Sequence, residues 1–150
     1  SSDLQKHAVG PWLYPATNVF EGMREAKERS IPAGGGQVYA IALSKDEKFV
    51  YSGSENGAVR KHDLNTGEPL GERRVHTGAV NSIVVGTDEE LVVKETLFSG
   101  STDGTVGMWD VLEMWCIQKL AEHSGSVNAL AISQDCGRLI PGSDDGTVRV

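Results

Sequence analysis

An all-β chain assembled from repeated four-stranded antiparallel sheets is what this sequence predicts. Three observations predict it: a glycine-tipped turn motif that recurs, an apolar stretch that recurs ahead of it, and a period of 42 to 47 residues. The turn motif is read in Ser52-Gly53-Ser54-Glu55-Asn56-Gly57-Ala58-Val59, then in Ser99-Gly100-Ser101-Thr102-Asp103-Gly104-Thr105-Val106, then in Pro141-Gly142-Ser143-Asp144-Asp145-Gly146-Thr147-Val148. The upstream stretch is Gln37-Val38-Tyr39-Ala40-Ile41-Ala42-Leu43, with counterparts at Ala79-Val80-Asn81-Ser82-Ile83-Val84-Val85 and Ser126-Val127-Asn128-Ala129-Leu130-Ala131-Ile132. The two sets of offsets differ in order, which puts five extra residues inside the second repeat, before Ser99.

Each element follows from its residues. Counted from Val38, Val80 and Val127, the upstream stretch carries large apolar side chains at its first, fourth and sixth places, a pattern suited to an innermost strand covered on both faces. Asn56-Gly57, Asp103-Gly104 and Asp145-Gly146 are hairpin signals, because a two-residue turn needs positive φ and Gly and Asn/Asp tolerate it. Leu64-Asn65-Thr66-Gly67 supplies another turn, and Trp115, Ile117 and Leu120 suit a half-exposed outer strand. Four strands per repeat result. Proline is confined to sheet edges and bulges, so Pro141, in the place of Ser52 and Ser99, predicts a local distortion.

These residues resemble the WD-repeat family, whose units of about 40 to 45 residues carry Gly-His near the start and Trp-Asp near the end. Trp109-Asp110 matches in full, and His76 and His123 match the histidine, with Val75 and Glu122 in place of the glycine. In the first repeat Gly34 takes the histidine place and His62 the tryptophan place, so that copy is degenerate. The resemblance implies an incomplete β-propeller of about three four-stranded blades. A degenerate blade spans 34–75, a full one 76–122 and a truncated one 123–150, with the remaining blades supplied by flanking sequence. Residues 1–33 form a non-repeat segment or linker. Within it Asn18 to Arg29 reads as a short amphipathic helix, from its capping Asn18, its stripe of Val19, Phe20, Met23 and Ala26, and its Glu25–Arg29 pair.

The family also assigns His76, Ser99, Asp103 and Trp109 to a buried structural network, with His123 and Asp145 as the equivalents in the next repeat. A hydrolase triad of His76, Ser99 and Asp103 is the competing reading, but no oxyanion hole or open nucleophile accompanies it, so no catalytic residues are expected. No metal or cofactor is expected either. His7, His62, His76 and His123 are dispersed, Asp144-Asp145-Gly146 lacks the alternating acids of a calcium loop, and Gly34-Gly35-Gly36 leads into a strand.

With 14 basic and 21 acidic residues the net charge is −7, which repels nucleic-acid backbones and anionic lipid heads. Neither nucleic acid nor membrane is therefore expected, and the resemblance implies other proteins or peptides as partners. Cys116 and Cys136 are too few for a disulfide framework and read as reduced thiols, which points to the cytoplasm, with the nucleus as the alternative. The function the resemblance implies is a non-catalytic protein–protein interaction scaffold; the alternative is the substrate-recognition or regulatory propeller of a larger enzyme or ubiquitin-ligase complex. Contacts are expected on one ring face, at Gln37, Tyr39, Ala79, Asn81, Ser126 and Asn128.

Overall fold

A computed structural model of the chain describes residues 30–32, 34–88, 94–121, 123–133 and 138–147. The helix expected within 18–29 and the thiol of Cys136 lie outside them. The chain divides after Ser30 into two units, and every described strand belongs to the second. The first sheet contains β1 (Val38–Leu43), β2 (Phe49–Ser54), β3 (Ala58–Asp63) and β4 (Pro69–Arg74) in that order. The second contains β5 (Val80–Asp88), β6 (Lys94–Ser101), β7 (Val106–Asp110) and β8 (Trp115–Leu120), and the third pairs β9 (Val127–Ile132) with β10 (Leu139–Ser143). All neighbours are antiparallel.

The β2–β3 and β6–β7 hairpins and the turn after β10 fall where the glycine motifs stand, but the turn chemistry differs from the expected two-residue form. Only Gly57, Gly104 and Gly146 take positive φ (84°, 85° and 81°), while the preceding Asn or Asp does not. Gly104 N–H donates to Ser101 O and Ser101 N–H donates to Thr105 O, each at 3.1 Å, so the loop is a longer turn closed by a left-handed glycine. This geometry frees the preceding side chain: Asp103 Oδ1 accepts from Thr105 N–H at 2.9 Å, and Asp145 Oδ1 accepts from Thr147 N–H at 2.9 Å.

Apolar residues at the first, fourth and sixth places of the inner strand have a single structural cause. Val80 pairs with Ser101, Ser82 with Gly100 and Ile83 with Ser99, so Asn81 is the extra residue of a β-bulge. The bulge brings Val80, Ile83 and Val85 to one face, while the other face of β5 meets the third sheet, where Leu130 N–H donates to Ser82 Oγ at 3.1 Å, so the strand is covered on both faces. The same shift occurs at Tyr39 in β1 and at Asn128 in β9.

The face that carries Val80, Ile83 and Val85 packs on the sheet before it. Tyr51 and Val59 of the first sheet meet Val80, Ile83, Leu97, Trp109, Val111 and Met114 of the second in one buried cluster. Each such side chain contributes about 1.5–3 kcal/mol. The joint closes over Gly53, where even a Cβ would lie 2.4 Å from Val80 Cγ1, and it repeats at Gly100 against Val127 Cγ1 at 2.7 Å. On β1, by contrast, the equivalent Ile41 is 70% exposed, since no described sheet stacks on that side.

Two further expectations need correction. The ladder between β9 and β10 runs in register through Pro141, which faces Leu130, so the proline does not distort it; the irregularity lies between Gly142 and Ser143, as in the other repeats. In β8 a second bulge, where Trp109 faces Cys116 and Met108 faces Gln118, interrupts the alternation. Cys116 turns inward, and Trp115 and Ile117 are the exposed residues.

Candidate functional site

The second repeat brings His76, Ser99, Asp103 and Trp109 together, with Thr105 between two of them. Trp109 Nε1 can only donate, and it does so to Ser99 Oγ at 2.8 Å. The serine hydrogen is then left for His76 Nε2 at 2.7 Å. On the other side Thr105 Oγ1 donates to Asp103 Oδ1 at 2.5 Å and accepts from His76 Nδ1 at 2.9 Å, with Asp103 Oδ2 3.4 Å from the same nitrogen. The bonding order assigns a neutral imidazole protonated at Nδ1. Asp103 Oδ2 also accepts from Thr77 N–H at 2.9 Å, tying the hairpin tip to the chain that enters the repeat. Sequence reasoning missed Thr105, although a threonine follows the hairpin glycine in the second and third repeats.

The other two repeats lack parts of this set, and each missing part leaves a mark. In the third, His123 Nδ1 lies 3.0 Å from Asp145 Oδ2 and Thr147 donates to Asp145 at 2.5 Å, but Pro141 offers no hydroxyl. His123 Nε2 is buried with no hydrogen-bond partner among the described residues. In the first, Ser52 keeps its place while Gly34 and His62 replace histidine and tryptophan, and Ser52 Oγ is likewise buried and unpartnered. Arg60 there occupies the position of Gly107, where a Cβ alone would lie 2.9 Å from both Ser99 Oγ and Trp109 Nε1. Its guanidinium donates to Ser54 Oγ and to Glu72 Oε1, both at 2.8 Å. An open cleft of about 380 Å³ borders it, lined by Gly34, His62, Pro69 and Glu72 as well.

Burial lowers the pKa of His76 from 6.5; Asp103 opposes the shift and Lys119 adds to it. Burial raises Asp103, but the hydroxyl and N–H of Thr105, Thr77 N–H and His76 outweigh it and hold the carboxyl at about 2. Burial also lowers His62. An unfolded chain therefore binds the histidine protons more readily than the folded one. Their contribution is complete above the unfolded value of 6.5 and is lost as pH falls below it. Asp103 acts in the same sense over the lower window from 3.8 down to about 2. Urea titrations between about pH 7 and pH 5 are expected to show falling stability, and the slope is expected to flatten in His76→Gln. An equal slope in the two proteins would remove His76 from this account.

The six ring-face residues cluster at the start of the three inner strands. Tyr39, Asn81 and Asn128 are the bulge residues themselves, and a bulge re-aims the side chain it carries. Gln37, Tyr39 and Asn128 are exposed, and Ala79, Asn81 and Ser126 are half-buried. They also link repeats: Asn81 Nδ2 donates to Val127 O and to Asn128 Oδ1, each at 3.4 Å, and Ser126 Oγ donates to Thr102 O at 3.3 Å, while within the third repeat Asn128 Nδ2 donates to Asp144 Oδ1. Among the described residues no three His, Cys, Asp or Glu side chains converge as metal ligands would.

The family model of the WD domain, G-beta repeat, matches residues 27–63, 67–110 and 114–150. Zinc finger CCCH domain-containing protein 17 of Oryza sativa subsp. japonica is 30% identical over 125 residues, which cover 79% of this chain and 27% of that protein. The target of rapamycin complex subunit wat1 of Schizosaccharomyces pombe is 31% identical over 132 residues, 87% of this chain and 40% of that protein. The pre-mRNA-splicing factor cwf17 of the same yeast is 29% identical over 115 residues, 77% of this chain and 32% of that protein. The chain thus spans well under half the length of each of these relatives.

Proposed function

Because the chain belongs to the family of the WD domain, G-beta repeat, we propose that it works as a non-catalytic scaffold that holds other proteins or peptides on one rim of its stacked sheets. The observation that carries this reading is the recurrent bulge. Three times the backbone spends one residue to re-aim a side chain at the same place, Tyr39 in the first repeat and an asparagine, Asn81 and Asn128, in the next two. The neighbouring position is valine in all three repeats, Val38, Val80 and Val127, whereas the bulge position changes from tyrosine to asparagine. Polar side chains set at the same rim position of successive sheets suit recognition, and the rigid sheets keep the ordering cost of binding small.

Two relatives are named as a complex subunit and a splicing factor. Their names support assembly with proteins as the role, and they bring the nucleus forward alongside the cytoplasm. The triple variant Tyr39→Ala, Asn81→Ala, Asn128→Ala is expected to keep the fold and to weaken partner binding at least tenfold, about 1.4 kcal/mol or more. Calorimetric titration of the purified complete protein with its partner measures this. Undiminished affinity would refute the assignment of this rim.

A further inference from the structure

The outer strand of the second repeat differs from its counterpart in the first in a way the framework does not require. Leu112 stands where the first repeat has Asn65, Trp115 where it has Glu68, and Ile117 where it has Leu70. All three are outward: Leu112 is 81% exposed, Trp115 60% and Ile117 51%. Their exposure does not come from a missing neighbour. In the first repeat, which has the complete second sheet beside it, Asn65 and Glu68 are exposed too and Leu70 remains 45% exposed. The fold thus accepts polar residues at the first two of these places, where the second repeat carries Leu112 and Trp115, and an apolar one at the third in both repeats.

Three more observations say what would cover them. Among the described residues β8 ends its sheet, so its outer edge has no neighbouring strand to pair with its N–H and C=O groups. In β4 that edge is blunted by Pro69, whereas the same register position in β8 holds Cys116. Finally, the guanidinium of Arg73 lies 5.3 Å from the centre of the Trp115 ring, and Arg74 follows it at the end of β4. Both arginines are exposed, in a chain whose net charge is −7. We infer that β8 is a second docking site, which takes an extended acidic segment of a partner protein as an added strand. The segment's backbone pairs with the β8 edge, its apolar side chains cover Trp115 and Ile117, and its carboxylates meet Arg73 and Arg74.

This site is distinct from the rim that Tyr39, Asn81 and Asn128 occupy, so the two readings stand or fall separately. The test is calorimetric titration of the complete protein with two synthetic peptides. One alternates Glu with Ile and Tyr; the other has Lys in place of every Glu. The acidic peptide is expected to bind with a Kd below about 1 mM, and the basic one is not. The double variant Leu112→Asn, Trp115→Glu installs the residues of the first repeat, which fit that backbone, and is expected to weaken the acidic peptide at least tenfold. Arg73→Ala should weaken it as well, and the triple rim variant should leave it unchanged. Equal binding of the two peptides, no binding of the acidic one, or full affinity in the double variant would overturn the proposal.

Discussion

Ser99→Ala is expected to destabilise the protein by roughly 2–5 kcal/mol, because one hydroxyl satisfies two buried groups and each orphan costs about 1–3 kcal/mol. Removing it strands Trp109 Nε1–H and His76 Nε2, both held inside the second repeat. For a chain of this size the melting temperature should fall on the order of 10 °C. The first repeat supplies the control. Ser52 occupies the same position, but its hydroxyl is already without a partner. Ser52→Ala discards a desolvated polar atom and breaks no bond, so it is expected to change stability by less than about 1 kcal/mol, in the stabilising direction if the small gap closes. Denaturant titrations of the two variants side by side measure the contrast. Similar losses in both would mean that the serine acts through packing, and the hydrogen-bonded set would not be what fastens the second repeat.

The comparison of Ser52 with Ser99 also shows how far the sequence could be read. Equivalent positions were legible because period and motif fix register, so the degeneracy of the first repeat at Gly34 and His62 could be read from the residue types. Its consequence, an unpartnered Ser52 Oγ with Arg60 filling the room beside it, needed geometry. Strand order and hairpin positions followed from apolar periodicity and turn glycines. What periodicity could not deliver was phase. A bulge adds one residue and moves everything after it to the other face. The spacing of Val80, Ile83 and Val85 therefore predicts a strand with neighbours on both faces, as found, but not that the backbone gathers these three side chains on one of them. The same slip at Ile117 hid the outward setting of Trp115 beside an inward Cys116. The turns misled for a related reason: Asp-Gly suits two loop lengths, and the side-chain bond from Asp103 to Thr105 N–H selects the longer.

The second large effect is expected at Gly53. Alanine there places a Cβ 2.4 Å from Val80 Cγ1 and 2.8 Å from Val80 Cβ, and a β-branched side chain has little rotamer freedom with which to retreat. The joint between the first two sheets must open, at a cost near the upper end of the 1–3 kcal/mol typical of overpacking, about 3 kcal/mol. Gly100→Ala meets Val127 Cγ1 at 2.7 Å and should cost somewhat less. Gly142→Ala has nothing within 4 Å and should be close to neutral in this chain. The ranking alone would fit any tight glycine, so the cause is isolated by pairing Gly53→Ala with Val80→Ala. Val80→Ala by itself loses buried contact with the core cluster, yet in the Gly53→Ala background it also removes the colliding methyl. The double variant is therefore expected to be more stable than the sum of the single losses by at least about 1 kcal/mol. Strictly additive losses would show that Gly53 is needed for its backbone alone, and that the valine-on-glycine contact is not what sets the distance between consecutive sheets.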